Sequence, residues 1–321
     1  MNKTNSSPIQ GMQSAMFFRK LPLKSEEAVV LQNPNLRTRH LPFRRVNALP
    51  FMPARTNAPK APKHAATSVD LQALGFRVAQ SGPHTSKTLM LQELEALLEA
   101  VPADAPAKVY RAAIVEENVL GKRTLSSRKE TATRLKALHG LDPSKPLFRV
   151  LLRLWAVDAA AHPQLALLNG LARDPLLMAT ATRVMGMTQA QVLQRSEMVA
   201  AVQAFSRDRL SPKVLDAVAR NTASSWTQSG HLKGKVKKQR HSLKPHPVAL
   251  ALAMWLGYAS GKRGKALFNT PWAAALDTSR AGLLELAEQA KRLGLLKLSR
   301  GAGVVSIDPS GLDPLHGRQQ P

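Results

Sequence analysis

The chain has 321 residues, a mass of 34.9 kDa, and 46 Lys and Arg against 21 Asp and Glu, giving a net charge of +25 and an isoelectric point near 11.1. Apolar residues make up 44%, enough for a core, which excludes a wholly disordered chain; the absence of cysteine excludes a disulfide scaffold, an iron–sulfur cluster, a thiol nucleophile and a thiolate zinc site. So large a cation excess favours a polyanionic partner, either nucleic acid or an anionic membrane surface.

Residues 1–68 hold eight of the 22 prolines and show no sustained helical or alternating period. Residues 1–70 carry eleven basic side chains and three acids, Glu26, Glu27 and Asp70. Such a stretch cannot bury enough apolar surface to offset its ordering entropy, so a disordered basic leader is expected.

From residue 69 the pattern turns helical. Thr85 or Ser86 is expected to cap a helix with Met90, Leu91, Leu94, Leu97 and Leu98 on one face. Pro106 opens the next, which is expected to run to about Gly121. Ser127 and Glu130 spell a capping box ahead of Leu135 and Leu138. Pro146 starts a helix with Leu147, Val150, Leu151, Leu154 and Trp155 inward. Pro163, Asp174–Pro175 and Thr188 mark three further starts, and Ser211–Pro212 opens a helix that stops at Gly230. Pro247 to Ala259 is nearly all apolar but far short of the ~20 residues a membrane span needs, so it is expected to be a buried core helix.

After Asp277, Thr278 and Ser279, all N-cap candidates, comes a helix that ends at Gly294. Leu296 and Leu298 then alternate with Lys297 and Ser299, and a Gly-rich turn joins them to Val304, Val305 and Ile307. Helix, glycine stop and hairpin form the end of a winged helix-turn-helix. His231 to Val236 behind Gly230 is a weaker echo of the same unit. The expected fold class is mainly α. A helical core domain is expected over 69–205, a helical, winged-helix-like basic region over 206–308, and a flexible tail over 309–321.

Three basic groups are candidate nucleic-acid contacts. The densest is 231–247, where Lys233, Lys235, Lys237, Lys238, Arg240 and Lys244 supply six cations and no acid intervenes. If all six met DNA phosphates, log K would fall against log salt with a slope of about −5. The second is 118–130, where Lys122, Arg123, Thr124, Ser127 and Arg128 lie beside a helix start whose open N–H groups attract anions. The third is the tail, with Lys291, Arg292, Lys297 and Arg300 around helix end and hairpin. Its helix is poor in base-reading side chains, so little sequence specificity is expected.

Enzyme signals are sparse. The Gly257–Gly261–Lys262 spacing is one residue short of a phosphate loop, and Arg263 stands where Ser or Thr would hold magnesium. His231, His241 and His246 have no carboxylates nearby in sequence, and the acids are too scattered to hold a nuclease metal. Asp208 and Asp216, isolated among cations, are expected to be ion-pair partners. No catalytic residue, metal or cofactor is expected. The tryptophans sit in apolar helical contexts, which favours duplex binding over a base-stacking platform for single strands.

The run Asn118-Val119-Leu120-Gly121-Lys122-Arg123-Thr124-Leu125-Ser126-Ser127-Arg128 resembles the N-x-L-G-K-x-[ST]-x-S-R segment of BrxA, a component of the BREX bacteriophage-exclusion systems. Asn221-Thr222 through Gly230-His231-Leu232 is similar to that family's helix-then-G-x-L segment. Tyr258, Phe268, Trp272, Leu276 and the 294–307 hairpin follow in the family's order. The resemblance covers roughly residues 70–308. It implies an all-helical, NusB-like core, duplex-DNA binding without catalysis, a bacterial cytoplasm, and action beside the BREX methyltransferase, ATPase and phosphatase-like components. The expected function is therefore a non-enzymatic, DNA-binding accessory protein of a phage-defence system, with no membrane partner. An RNA-binding protein and a protein–protein adaptor remain open alternatives.

Overall fold

A computed structural model describes residues 70–301 and 304–313; the leader expected over 1–68 and residues 314–321 lie outside them. The described chain belongs to one compact unit, His64–Pro321, and is mainly helical with two small hairpins. The first half contains α1 (Leu91–Ala100), α2 (Ala107–Val115), α3 (Leu125–His139), α4 (Pro146–Trp155) and α5 (His162–Arg173). Then come α6 (Pro175–Ala179), α7 (Ala181–Met185), α8 (Arg195–Ser206) and α9 (Pro212–Gln228), followed by a hairpin of β1 (Leu232–Lys233) and β2 (Gln239–Arg240). The chain closes with α10 (Pro247–Ala259), α11 (Pro271–Ala274), α12 (Arg280–Arg292) and a hairpin of β3 (Lys297–Gly301) and β4 (Val304–Asp308).

Several starts fall where the proline and cap pattern put them. Pro146 opens α4 and Pro212 opens α9. Asp174 caps α6 by accepting from the amides of Leu176 and Leu177, and Ser279 caps α12 by accepting from Gly282. Others differ. Thr85 lies in a 3₁₀ turn, Pro83–Thr85, and α1 begins only at Leu91, behind a left-handed Met90. The helix from Pro106 stops at Val115, since Asn118 and Gly121 both take positive φ. The cap of α3 is Thr124, and Ser127 is its N3 partner rather than its first residue. No helix starts at Thr188; Gln194 and Glu197 box the start of α8 instead. The tail expected from 309 is pinned through Asp313, which is buried and pairs with Arg149 at 2.9 Å.

The packing centre is α10. Every residue from Val248 to Gly257, and Ala259, is buried, so the helix is apolar all round. It packs on α4 and α5 from the first half and on α11 and α12 from the second. One apolar cluster accordingly runs from Leu74 to Leu312, and α8 and α9 pack together across the boundary expected at 205/206. Among the described residues no helix is long and apolar enough to cross a membrane.

Two stretches share a connectivity. In 175–240, short helices are followed by α8, α9 and the β1–β2 hairpin. Residues 190–193 run antiparallel beside β2, with Leu193 N–H donating to Lys238 and Arg240 N–H donating to Gln191. In 247–308, α10 is followed by α11, α12 and the β3–β4 hairpin. The β3–β4 register pairs Leu298 with Ile307, both buried, and Lys297 with Asp308.

Replacing Leu252, fully buried in α10, by Ala is expected to cost about 2–5 kcal/mol of unfolding free energy, measured by urea denaturation.

Candidate nucleic-acid interface

The hairpin after α9 gathers the densest charge. Ser229 ends α9, Gly230 turns the chain at φ +88°, and His231 drops into the interior. His231 Nε2 donates to the Ala275 carbonyl at 2.8 Å, which leaves Nδ1 to accept from the Ser229 hydroxyl at 2.9 Å. Gly234 is needed at the tip because its φ is +108° and a Cβ would collide with the Lys237 carbonyl. Lys233, Lys235 and Lys237 are exposed, and between the last two stands Val236, 90% exposed.

Two of the six cations in this segment behave differently from expectation. Arg240 is buried, not a phosphate contact. Its Nη2 meets Asp277 Oδ1 at 2.5 Å, and its Nη1 donates to the carbonyls of His231 and His241. Asp277 also accepts from the Leu243 amide, so one carboxylate ties down the hairpin base and the chain behind it. Lys238 is half-buried, with Nζ donating to Thr227 Oγ1 at 3.0 Å; burial lowers its pKa from the usual lysine value. Lys244 is exposed.

The second group is largely consumed by its own loop. Thr124 Oγ1 accepts from the Ser127 amide and Ser127 Oγ donates to the Thr124 carbonyl, so both hydroxyls serve the cap of α3. Lys122 pairs with Glu93 at 3.0 Å, and Arg128 folds back onto the carbonyls of Lys122 and Val115. Arg123 is exposed. In the third group Lys291, Arg292 and Lys297 are exposed, while Arg300 pairs with Glu288 at 3.2 Å. The outward face of α12 also carries Glu285, so carboxylates stand where a DNA-reading helix would meet phosphates and bases.

What the structure brings together is the first group with two arginines the sequence reading passed over. A cleft of about 420 Å³ opens between the start of α8, the middle of α9 and the β1–β2 hairpin. Its charged lining is Arg195, Arg220, Lys235 and Lys238, with no acid among them. Asp216, expected to be an ion-pair partner, meets both Arg195 and, at 3.4 Å, Arg220. The signal for Arg220 was in the sequence: it stands four residues after Asp216 and one helical face from Lys213 and Ser224. Asn221 lines this cleft and also a second, which reaches Lys87, Lys122 and Ser127 together with the acids Glu93 and Glu130. The first two basic groups therefore flank the same helix.

A buried Asp–His–Ser line also emerges, which spacing did not reveal. His84 Nδ1 lies 2.7 Å from Asp174 Oδ2, and His84 Nε2 lies 2.7 Å from Ser225 Oγ. All three are fully buried, and Ser225 Oγ contacts the Asn221 carbonyl at 2.9 Å, so the hydroxyl has no approach for a substrate. Asp174 lies below the ordinary carboxylate range. Burial pushes it up, but the His84 ring and the amides of His84 and Leu176 outweigh burial. The line clamps the 82–85 turn to α6 and α9. Gly82 fits only because a Cβ there would strike the Asp174 carboxylate. Among the described residues no group of three or more His, Asp or Glu could hold a metal ion.

No protein-family model matches the chain, and no curated protein matches it in sequence.

Two outcomes follow for stability. Asp277→Ala leaves the Arg240 guanidinium buried without its carboxylate, and is expected to cost about 3–5 kcal/mol in urea unfolding. Lys237→Ala on the exposed tip should stay within about 0.5 kcal/mol. Burial also pushes His231 and His139 down to about 4, against the backbone acceptors Ala275 and Leu89, which favour the protonated ring. Both rings are neutral when folded and take up a proton once unfolded. Their contribution is complete above about pH 6.5 and is lost as pH falls towards 4. Lowering the pH from 7 to 5 should remove about 2 kcal/mol per histidine, read from urea midpoints, with His231→Gln removing about half of that dependence.

Proposed function

We propose that the chain is a duplex-DNA-binding protein without catalysis of its own, and that residues 175–240 are the winged helix-turn-helix that holds the duplex. The observation that carries this is the cleft between α8, α9 and the lysine-tipped hairpin, whose charged lining is Arg195, Arg220, Lys235 and Lys238 against the single neighbouring carboxylate of Asp216. In a winged unit the second helix of the pair enters the major groove while the hairpin lies along the backbone. Here α9 is that helix, and Lys233, Lys235 and Lys237 are the hairpin's phosphate contacts. Residues 190–193 beside β2 supply the third short strand of such a unit. Lys244 and Arg123 extend the cationic surface at its margins.

The resemblance of 118–128, 221–232 and 258–307 to BrxA supports a role as an accessory of a BREX-type defence system in the bacterial cytoplasm, working beside a methyltransferase and an ATPase. The same resemblance supports a NusB-like reading of the 70–173 helices. The acids on α12 favour a second role for the 247–308 unit, docking to a protein partner rather than to DNA.

Fluorescence anisotropy of a labelled random duplex tests the main reading. Binding is expected at about 50 mM salt and should weaken steeply as salt rises. Replacing Lys233, Lys235 and Lys237 together by Ser should make the log K–log salt slope shallower by about 2.7, with an unchanged circular dichroism spectrum. Absence of duplex binding at low salt, or displacement of duplex by structured RNA at equal concentration, would overturn it.

A further inference from the structure

In the proposed duplex complex the cleft grips phosphates. The side chains of α9 go further. Lys213, Ala217, Arg220, Ser224 and Thr227 follow one another along the helix at three- and four-residue steps, and of these Arg220 and Ser224 line the cleft. Arg220 is the one long cation in the middle of that row, and its side chain is 62% exposed. Its Nε faces Asp216 Oδ2 one turn back, and the same oxygen takes Arg195 from the start of α8. With the Asp216 carboxylate beside Nε, the two Nη groups are the guanidinium donors left for a partner, in an end-on fork. The carboxylate also restricts the rotamers of a side chain that would otherwise lose much entropy on ordering. Ser224, one turn further, is short and leaves room for the edge of a base pair.

The major-groove edge of guanine offers two neighbouring acceptors, O6 and N7, which match such a fork. A phosphate contact would need no carboxylate beside the arginine, and the negative charge of Asp216 would oppose it. The arrangement therefore costs phosphate affinity and favours geometry. The lysines of the hairpin differ: they are exposed point charges suited to the backbone.

We infer that Arg220, braced by Asp216, reads a guanine in the major groove, so that this protein prefers G at one fixed position of its site. The assignment rests on the duplex reading and departs from the expectation of little sequence specificity, which came from α12 rather than α9. Asp216 is the positioning residue: it acts through Arg220.

The test uses the full chain, selection from a duplex pool with a randomised core, and sequencing of the bound fraction. Wild type should enrich G at one position. Arg220→Ala should flatten that position, lowering the preference for G over other bases by about tenfold or more. Arg220→Lys keeps the charge but not the fork, so it should lose the preference while the salt slope stays the same. Asp216→Asn should blur the preference while affinity for random duplex rises. Uniform binding by wild type, or a loss on Arg220→Ala that is equal for every sequence, would overturn this assignment and leave the duplex reading standing. Failure of wild type to bind any duplex at about 50 mM salt would overturn both.

Discussion

Arg240 and Asp277 hold the candidate interface in place. The hairpin between them and α9 carries lysines at 233, 235, 237 and 238 with no acid among them, and like charges so close repel. A two-residue ladder, Leu232 with Arg240 and Lys233 with Gln239, is too short to hold such a loop by itself. The ion pair, the His231 bond to Ala275 and the strand-like run at 190–193 together fix its base. Removing two charges from water is costly, so the pair is a device for position more than for stability. One of the six cations that the sequence offers as a DNA contact is therefore used to aim the others.

Much of the helical frame was legible because its signals are local. Pro146, Asp174–Pro175, Ser211–Pro212 and Ser279 start helices where proline geometry and side-chain caps dictate. The failures are equally physical. Thr188 looks like a cap, but its amide bonds to the side chain of Gln191, and the chain makes a single β-bridge from Val192 to Gln239 before α8. Ser127 and Glu130 look like a capping box, but Thr124 stands three residues earlier and takes the Ser127 amide first. The site was half legible. A run of lysines is visible in any sequence, whereas the burial of Arg240 depends on Asp277, 37 residues away, and the approach of Arg195 to Arg220 depends on how α8 crosses α9. Such long-range pairs leave no local pattern.

The 175–240 and 247–308 stretches repeat one order of elements with different side chains outward. On α9 the outward face presents Lys213 and Arg220 with Asp216 between them; on α12 it presents Arg280, Glu285, Gln289, Lys291 and Arg292. A shared framework does not imply a shared partner, since what a helix meets is decided by the few side chains it presents. The +25 charge of the whole chain conceals this division.

The wholly apolar α10 has a consequence for how the chain can be divided. It is covered both by helices that precede it, α4 and α5, and by helices that follow, α11 and α12. A fragment cut anywhere near the middle would leave a thirteen-residue greasy rod with half its cover gone, or strip its neighbours of their shared filling. The two halves are therefore expected to fold only together, each completing the cover of the shared helix.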